Sequence, residues 1–486
     1  MKAAKGSGIY NVIVIGAGTA GLVTAAGTAS LGGRVALIER HKMGGDCLNF
    51  GCVPSKALIS SARLVQNIRR AQDWGLEAQE PKFAFDKVFE RMRARRAEIA
   101  PNDSQDRFES LGVDVFRGEA KFISPCELEV DGTKLRARNF VIATGTRATI
   151  PPIEGIEQVP YFTNETIFDE LKSPPQGLVV LGGGPIGCEL AQAFARLGVQ
   201  VTILNRGARL LAKEDADVAA FVQDRLEQEG VVVLNGVEAK SCARQGDEIG
   251  IDYTQKSATT RQRISSSALL LASGRTPNIE ALDLKAAGVK FTKRGVETNA
   301  RLQTSQPHIY AAGDVVGPFQ FTHMADYHAR IVVRNILMPL PILRQKTDYS
   351  VVPWCTFVDP EVARVGVSEA EAKKRKIGYD VVRQEFAAVD RAVVESQESG
   401  FAKILLKRGT DKILGVTIVS EHAGELIHEF VLAMKHGIGL GQIAAMIHVY
   451  PTFSEAARKA GEQYNKTRLT PRAKKLFAWL YQRKRS

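Results

Sequence analysis

The chain has no uninterrupted apolar run of about 18 residues, so no transmembrane helix is expected. Its opening, MKAAKGSGIY, lacks the apolar stretch of a secretory signal, and a cytoplasmic location is expected. Cysteine is scarce. Six in 486 residues make no disulfide scaffold. Cys126, Cys188, Cys242 and Cys355 are scattered and read as ordinary thiols; only Cys47 and Cys52 lie close together. Acid is missing from the end of the chain. Lys466–Ser486 holds eight Lys or Arg and no Asp or Glu, which is two-thirds of the net charge of +12. No recognition motif for nucleic acid accompanies that charge, so no nucleic-acid partner is expected.

What is present is ordinary for a globular enzyme: 44% apolar and 24% charged residues. The length suggests about three or four domains. The 43 glycines fall partly in tight clusters. Asn11–Ile15 reads as a strand, GAGTAG follows, an Ala-rich helix runs to about Leu31, and Arg34–Glu39 is a second strand ending in an acid. The order recurs at Leu178–Leu181, GGGPIG, a helix over Pro185–Leu197 and a strand over Gln200–Leu204. Twenty-three positions separate Gly16 from Glu39, and twenty-three separate Gly182 from Asn205. Two dinucleotide-binding units are therefore expected.

In the first unit Gly16 permits the tight turn, Gly18 lets backbone approach a pyrophosphate, Gly21 allows close helix packing, and Glu39 is placed for a ribose hydroxyl. The bland alternative is a glycine turn without a ligand, which the flanking strands and the acid argue against. The second unit has Gly182, Gly184 and Gly187, but Asn205 stands where the acid would be, with Arg206 next and Arg209 close by. An arginine would accept a 2′-phosphate that a carboxylate would repel, which favours NADPH over NADH. An Arg206 that is merely exposed is the competing reading.

The cysteines lie in GGDCLNFGCVPSK, Gly44–Lys56. A zinc site would need a second ligand pair, and none is near, so no metal site is expected. A structural crosslink makes little sense in a reducing compartment. A redox pair needs a source of electrons, and the two nucleotide sites provide one, because a flavin can take hydride from a nicotinamide and pass two electrons to a disulfide.

These residues resemble the redox-active motif of the class I FAD-dependent pyridine nucleotide–disulfide oxidoreductases, which include dihydrolipoamide dehydrogenase, glutathione reductase and mercuric reductase. The resemblance runs from about Tyr10 to Glu462 and includes both glycine units, ATG at Ala143–Gly145, SGR at Ser273–Arg275 and AAGD at Ala311–Asp314. It implies that FAD occupies the first unit, with Gly16, Gly18, Gly21, Glu39, Gly45, Ala120, Thr144, Gly145 and His323 around it and Asp314 on its ribityl chain. It implies a Lys56–Glu189 pair beside the flavin, Cys52 as the inner sulfur forming a charge-transfer thiolate, and Cys47 as the outer thiol that exchanges with substrate. Gly182, Gly184, Gly187, Asn205, Arg206 and Gly274 would border NADPH or NADH. A C-terminal domain would build a homodimer in which each active site is completed by the other subunit.

One position departs from the pattern. Disulfide-reducing members carry a histidine immediately before Pro-Thr and a glutamate five positions after it. Glu455 is present, but the histidine slot holds Tyr450, and His448 lies two residues earlier. An unperturbed tyrosine has a pKa of roughly 10 against roughly 6.5 for histidine, so Tyr450 is a donor and a poor base at neutral pH. Either His448 reaches in or the acceptor needs no such base; an interface histidine satisfied by hydrogen bonds is the favoured reading of His448. Tyrosine there is similar to mercuric reductase, yet the tail has no cysteine pair and no metal-binding module precedes Tyr10.

The expected fold is α/β: two Rossmann-like nucleotide-binding domains and a C-terminal α+β dimerisation domain. The expected boundaries are 1–151 for FAD with the cysteine pair, 152–272 for NAD(P), 273–346 for the second FAD segment, 347–464 for dimerisation and 465–486 for a basic tail. The expected function is transfer of electrons from NAD(P)H through FAD and Cys47–Cys52 to a small or protein disulfide or a thiol-bound metal ion. Dihydrolipoamide dehydrogenase and a tail-docked, membrane- or complex-bound flavoprotein are the alternatives. In the tail, Leu469, Ala473, Leu476, Phe477 and Leu480 make one apolar stripe on a helix. That helix either packs on its own dimer, the reading taken first, or lies on an anionic membrane surface.

Overall fold

The computed structural model describes residues 5–6, 8–255 and 260–484. The first four residues of the expected FAD domain and the last two of the expected tail lie outside the described residues, as do position 7 and positions 256–259. The chain divides into two compact units. The first comprises Met1–Ala62, Lys82–Ala208 and Gly230–Asp348; the second comprises Arg63–Pro81, Arg209–Glu229 and Tyr349–Ser486.

The first unit is organised by two parallel sheets. Strand β1 (Ile9–Ile15) leads through α1 (Thr19–Ser30) to β2 (Val35–Glu39), followed by the short α2 (Gly45–Asn49) and the longer α3 (Cys52–Arg69). β1 lies between β2 and β3 (Thr133–Ile142), parallel to both, with Val14 opposite Leu37 on one side and Val141 on the other. Asp114–Arg117 extends the sheet beyond β2, Ile309–Ala311 joins β3, and Ala120–Ser124 with Glu127–Val130 adds an antiparallel meander. Both faces are covered, so Val12, Ile13 and Val14 are all fully buried, as the unbroken apolar run requires. Phe122 and Phe140 meet edge to face at 5.4 Å on one side. Burying a ring of that size contributes about 1.5–3 kcal/mol.

The second sheet repeats the local chemistry of the first. β4 (Gly177–Leu181), α4 (Pro185–Arg196) and β5 (Gln200–Asn205) follow in order, with β4 between β5 and Ala268–Leu271, all parallel. In the first turn Gly16 has φ +102°, and a Cβ there would stand 2.5 Å from the Ala143 carbonyl oxygen; a Cβ on Gly21 would stand 1.8 Å from the Gly16 oxygen. In the second, Gly182 has φ +122° with the Ala272 oxygen 2.4 Å from its would-be Cβ, and Gly187 meets the Gly182 oxygen at 2.0 Å. Only glycine fits at any of the four. Val237–Gln245, Glu248–Gln255 and Arg261–Ser266 form a separate antiparallel sheet.

The second unit is α+β. Its five-stranded antiparallel sheet has the order Pro353–Thr356, Glu361–Gly366, Ile413–Ser420, Phe401–Lys407, Tyr379–Glu385. Helices α5 (Ala423–His436) and α6 (Glu455–Thr467) share its core, in which Ile404, Phe386 and Ala460 are fully buried. Lys403 is buried on a strand and closed off by Asp215, Asp217 and Glu369 at 2.9, 2.7 and 3.1 Å. Three carboxylates around one ammonium make the burial tolerable. α7 (Pro471–Arg483) ends the described chain; Leu469, expected within its stripe, precedes the Thr470 cap and lies outside it. Among the described residues no helix is long and apolar enough to cross a membrane.

Candidate active site

The first glycine turn opens a cleft whose walls include Gly16, Glu39, Ala120, Thr144 and Asn278. The Glu39 carboxylate already accepts from the backbone N–H groups of Ala17 and His41, each at 2.7 Å, which aims it across the turn. The first turn of α1 carries no acid, and a Cβ on Gly18 would meet only the Gly45 Cα, at 3.8 Å. The helix N-terminus therefore faces open space with unopposed N–H groups, the arrangement that receives a pyrophosphate. Gly145, with φ +63°, and Thr144 are tied to Asn278 by hydrogen bonds.

Further along the same unit, burial raises the Asp314 pKa, and Thr146 Oγ1 donates to its carboxylate at 3.3 Å. A desolvated carboxylate of this kind gains from a further hydroxyl donor. Behind it the Gly313 N–H donates to Nδ1 of His328, which is 3% exposed and whose pKa burial pushes down to about 4. His323 is exposed and stacks on Phe321 at 5.2 Å. The glycine cradle, the aimed Glu39 and the buried Asp314 together fit an FAD.

The cysteines occupy two helix starts. Cys47 lies in α2, and Cys52 is the first residue of α3, where the helix dipole favours a thiolate. Both are thiols. Cys52 is lowered to about 6, first by the hydrogen bond from Cys47, then by Thr322 and by the charge of Lys56, against the opposing effect of burial. Cys47 is raised, first by the same hydrogen bond and then by burial. The pair thus keeps one proton, on Cys47, and one negative charge, on Cys52. Thr322 Oγ1 stands 3.3 Å from the Cys52 sulfur. Lys56, one turn further along α3, binds Glu189 of α4 at 2.7 Å, and Glu189 is largely buried. Asp46, next to Cys47 on α2, is held by Arg275 at 3.1 Å and by Asn164 at 3.0 Å.

At the second glycine turn nothing stands within 4 Å of a Cβ built on Gly184, and the first turn of α4 again has no acid. That geometry fits a nicotinamide nucleotide's pyrophosphate. Gly274 adopts φ +133° nearby in sequence to the strand after Ala272. Asn205 ends β5. It is buried, its Nδ2 donates to the Gly207 carbonyl and to Asn235 Oδ1, and its Oδ1 accepts from the Gly207 N–H. Its amide therefore shapes the loop, while Arg206 is exposed.

In the second unit, the expected proton partners are sorted differently from the sequence pattern. Glu455 pairs with Arg458 at 2.5 Å and with Lys459 at 3.6 Å, and contacts neither Tyr450 nor His448 among the described residues. His448 is held at Nε2 by Glu429, 2.9 Å away, and at Nδ1 by the Met446 carbonyl at 3.3 Å. Tyr450 donates its phenol proton to Asp390 at 3.0 Å, and that hydrogen bond raises its pKa. Lys459 holds the other Asp390 oxygen at 3.1 Å. Asp390, Glu429, Thr322 and His328 carry no motif; each meets its partner only through the fold. Tyr450 is 66% exposed, and Ile447 and Val449 beside it are exposed too. A cluster of that kind marks a surface that another chain covers.

Two glycine cradles, a thiol–thiolate pair and a lysine–glutamate pair define a flavin-dependent dithiol oxidoreductase. The family model for pyridine nucleotide-disulphide oxidoreductases matches residues 10–329, and that of the family's dimerisation domain matches residues 352–460. The chain belongs to this family: it is an FAD-dependent NAD(P)H–disulfide oxidoreductase with FAD and NAD(P)H as cofactors, and it is a homodimer through its C-terminal domain. It is 35% identical over 461 residues to a mercuric reductase of Lysinibacillus sphaericus, covering 94% of this chain and 83% of that one. It is 33% identical over 462 residues to a dihydrolipoyl dehydrogenase of Geobacillus stearothermophilus, covering 93% and 95%. Among solved structures, the Cu(II) complex of the HOCl-induced flavoprotein disulfide reductase RclA from Escherichia coli superposes with a TM-score of 0.84 at 28% identity, covering 94% of this chain and all of that one. No single branch of the family dominates.

Proposed function

We propose that the enzyme uses NADPH in preference to NADH and delivers electrons through Cys47 and Cys52 to a disulfide or a thiolate-bound metal ion, in the manner of the mercuric-reductase branch. When bound, FAD supplies the two-electron relay between nicotinamide and the cysteine pair. Everything after that belongs to the chain. The Cys47 proton passes to the Cys52 thiolate, the Cys47 thiolate so formed attacks one sulfur of a disulfide acceptor, and the departing thiolate takes the proton back from Cys52. The Cys52 thiolate then attacks Cys47, releases the second thiolate and closes the Cys47–Cys52 disulfide, so two electrons leave the pair. A thiophilic metal ion would take the same two sulfurs as ligands.

The observation that carries this reading is the fixed proton inventory of the cysteine pair together with Tyr450 in the histidine slot. A phenol already donating to Asp390, with its pKa raised, cannot take the Cys47 proton near neutrality. His448 has both ring nitrogens engaged. An acceptor that needs no protein base is therefore favoured over lipoamide. The test is a steady-state comparison of NADH and NADPH against lipoamide, glutathione disulfide, mercuric ion and quinones. Preferred use of NADPH with mercuric ion or a disulfide other than lipoamide is expected. Lipoamide reduction with NADH that exceeds every other combination tenfold would place the enzyme with the dihydrolipoyl dehydrogenases instead.

A further inference from the structure

α7 is a complete helix with no buried residue. It has its own start signal: Thr470 Oγ1 accepts from the Ala473 N–H at 3.2 Å, and Pro471 occupies the first turn. At 100° per residue, Ala473, Leu476, Phe477 and Leu480 fall on one stripe. Lys475 falls on the far side, and Arg472, Lys474 and Arg483 flank the stripe. Leu476, Phe477, Trp479, Leu480 and Tyr481 are 43–70% exposed, a density of exposed large side chains that a water-facing helix does not need. Arg483 lies 4.4 Å over the Trp479 ring, pairing a cation with an aromatic at the edge of the stripe. Within the protomer the stripe is left uncovered.

We infer that α7 is a docking element for an anionic lipid surface, on which it lies parallel to the membrane with its apolar stripe in the headgroup–acyl boundary. Charge decides between the available occupants. No acid follows Glu462, so every charged residue of the segment is basic. A second copy of α7 would set these cations against their equals, and the helix lies beyond residue 460, where the matched dimerisation domain ends. A nucleic acid would use the cations but leave Leu476, Phe477 and Leu480 in water. An anionic bilayer satisfies both faces at once: lipid charge meets the Lys and Arg residues, and Trp479 and Tyr481 suit the interface. The helix is too short to span a bilayer. Each basic residue near such a surface is worth roughly fivefold in partitioning, so the group acts together.

The FAD-loaded dimer is to be sedimented with vesicles of phosphatidylcholine alone and with vesicles containing about 30% phosphatidylglycerol, at about 0.1 M and 0.5 M salt. The wild type is expected in the pellet with the anionic vesicles at least tenfold more than with the neutral ones, less so at high salt, with a blue shift of Trp479 fluorescence. A Phe477→Glu/Leu480→Glu variant and a Lys474→Glu/Lys475→Glu variant should each lose at least tenfold in binding while keeping flavin content, dimer mass and NAD(P)H oxidation. Failure of the wild type to bind anionic vesicles overturns the inference. So does equal binding by neutral vesicles, or binding that survives the Phe477→Glu/Leu480→Glu change. If that variant falls to a monomer, α7 is a dimer contact and the inference is again overturned. If heparin or duplex DNA binds the wild type and the apolar-face variant alike, with no vesicle binding, the segment is a polyanion site and not a lipid one.

Discussion

Replacing Cys47 with alanine removes the largest influence on the Cys52 thiolate, which makes it the most direct test of how the pair shares its proton. In the wild type the Cys52 pKa is lowered to about 6, with the hydrogen bond from Cys47 as first cause and Thr322 and Lys56 as lesser ones. At pH 7 a group with that pKa is about nine-tenths thiolate, whereas an ordinary thiol near 8.5 is only about 3% ionised. The limiting effect of Cys47→Ala is therefore roughly a 30-fold fall in thiolate at neutral pH. Lys56, Thr322 and the start of α3 remain in place to favour the thiolate, while burial continues to oppose it. A loss of thiolate at neutral pH, with the titration midpoint moving up from about 6, is the expected outcome. The assay is the long-wavelength absorbance that a thiolate gives beside oxidised flavin, followed against pH in two-electron-reduced wild type and in Cys47→Ala. Thr322→Val should move the midpoint the same way by a smaller step. A midpoint in Cys47→Ala that is unchanged or lower would refute Cys47 as the donor. Persistence of the band in Cys52→Ser would refute the assignment of the thiolate itself.

Acid should destabilise the first unit through His328. Its folded pKa is about 4 against about 6.5 for an unfolded chain, so the unfolded state binds the extra proton between those values. Stability from this residue is full above pH 6.5 and falls by up to about 3 kcal/mol as pH drops to 4, and His328→Gln should flatten that slope in pH-dependent thermal melts. A melt of the variant that tracks the wild type through pH 6.5 to 4 would remove His328 as the cause. Arg206→Ala should raise the KM for NADPH roughly 10–100-fold through loss of a charge-assisted contact, with the lower end favoured by its exposure, and leave that for NADH nearly unchanged. Equal changes for both nucleotides would show that Arg206 does not read the 2′-phosphate.

What the sequence makes legible here is what sits within one turn of chain. Gly16 and Gly21, or Gly182 and Gly187, leave no room for a side chain against backbone that is itself fixed by adjacent strands, so the residue type reports the geometry directly. Cys47, Cys52 and Lys56 are likewise brought together by two consecutive helices. The proton inventory was not legible, because it depends on contacts the chain makes at a distance. Thr322 reaches Cys52 across 270 positions, Tyr450 finds Asp390 across 60, and Asp46 is held by Arg275 from the far side of the second glycine unit. Asn205 shows the same limit in reverse. Its place at the end of a strand is where the motif spacing puts a ribose contact, and its amide also holds a local loop through Gly207 and Asn235 that the spacing does not report.

The same distinction explains why the motifs fix the route of electrons more tightly than their destination. The route runs through groups that sit in or beside motifs: the two sulfurs, Lys56 on the same helix as Cys52, and Glu189, which follows the second glycine cradle and meets Lys56 across 133 positions. The destination depends on which group can carry the Cys47 proton, and that is decided by side chains chosen singly in the second unit. A histidine in the place of Tyr450 would supply a base; the tyrosine, held by an Asp390 that Lys459 in turn holds, supplies only a donor. Glu455, whose usual task would be to orient that base, is instead bound to Arg458 and Lys459 on its own helix. Glu455 is buried, and its Oε1 is drawn to Arg458 and Lys459 of its own helix. Neither the Tyr450–Asp390 nor the Glu455–Arg458 contact supplies a base at neutral pH, and both therefore favour chemistry that requires none.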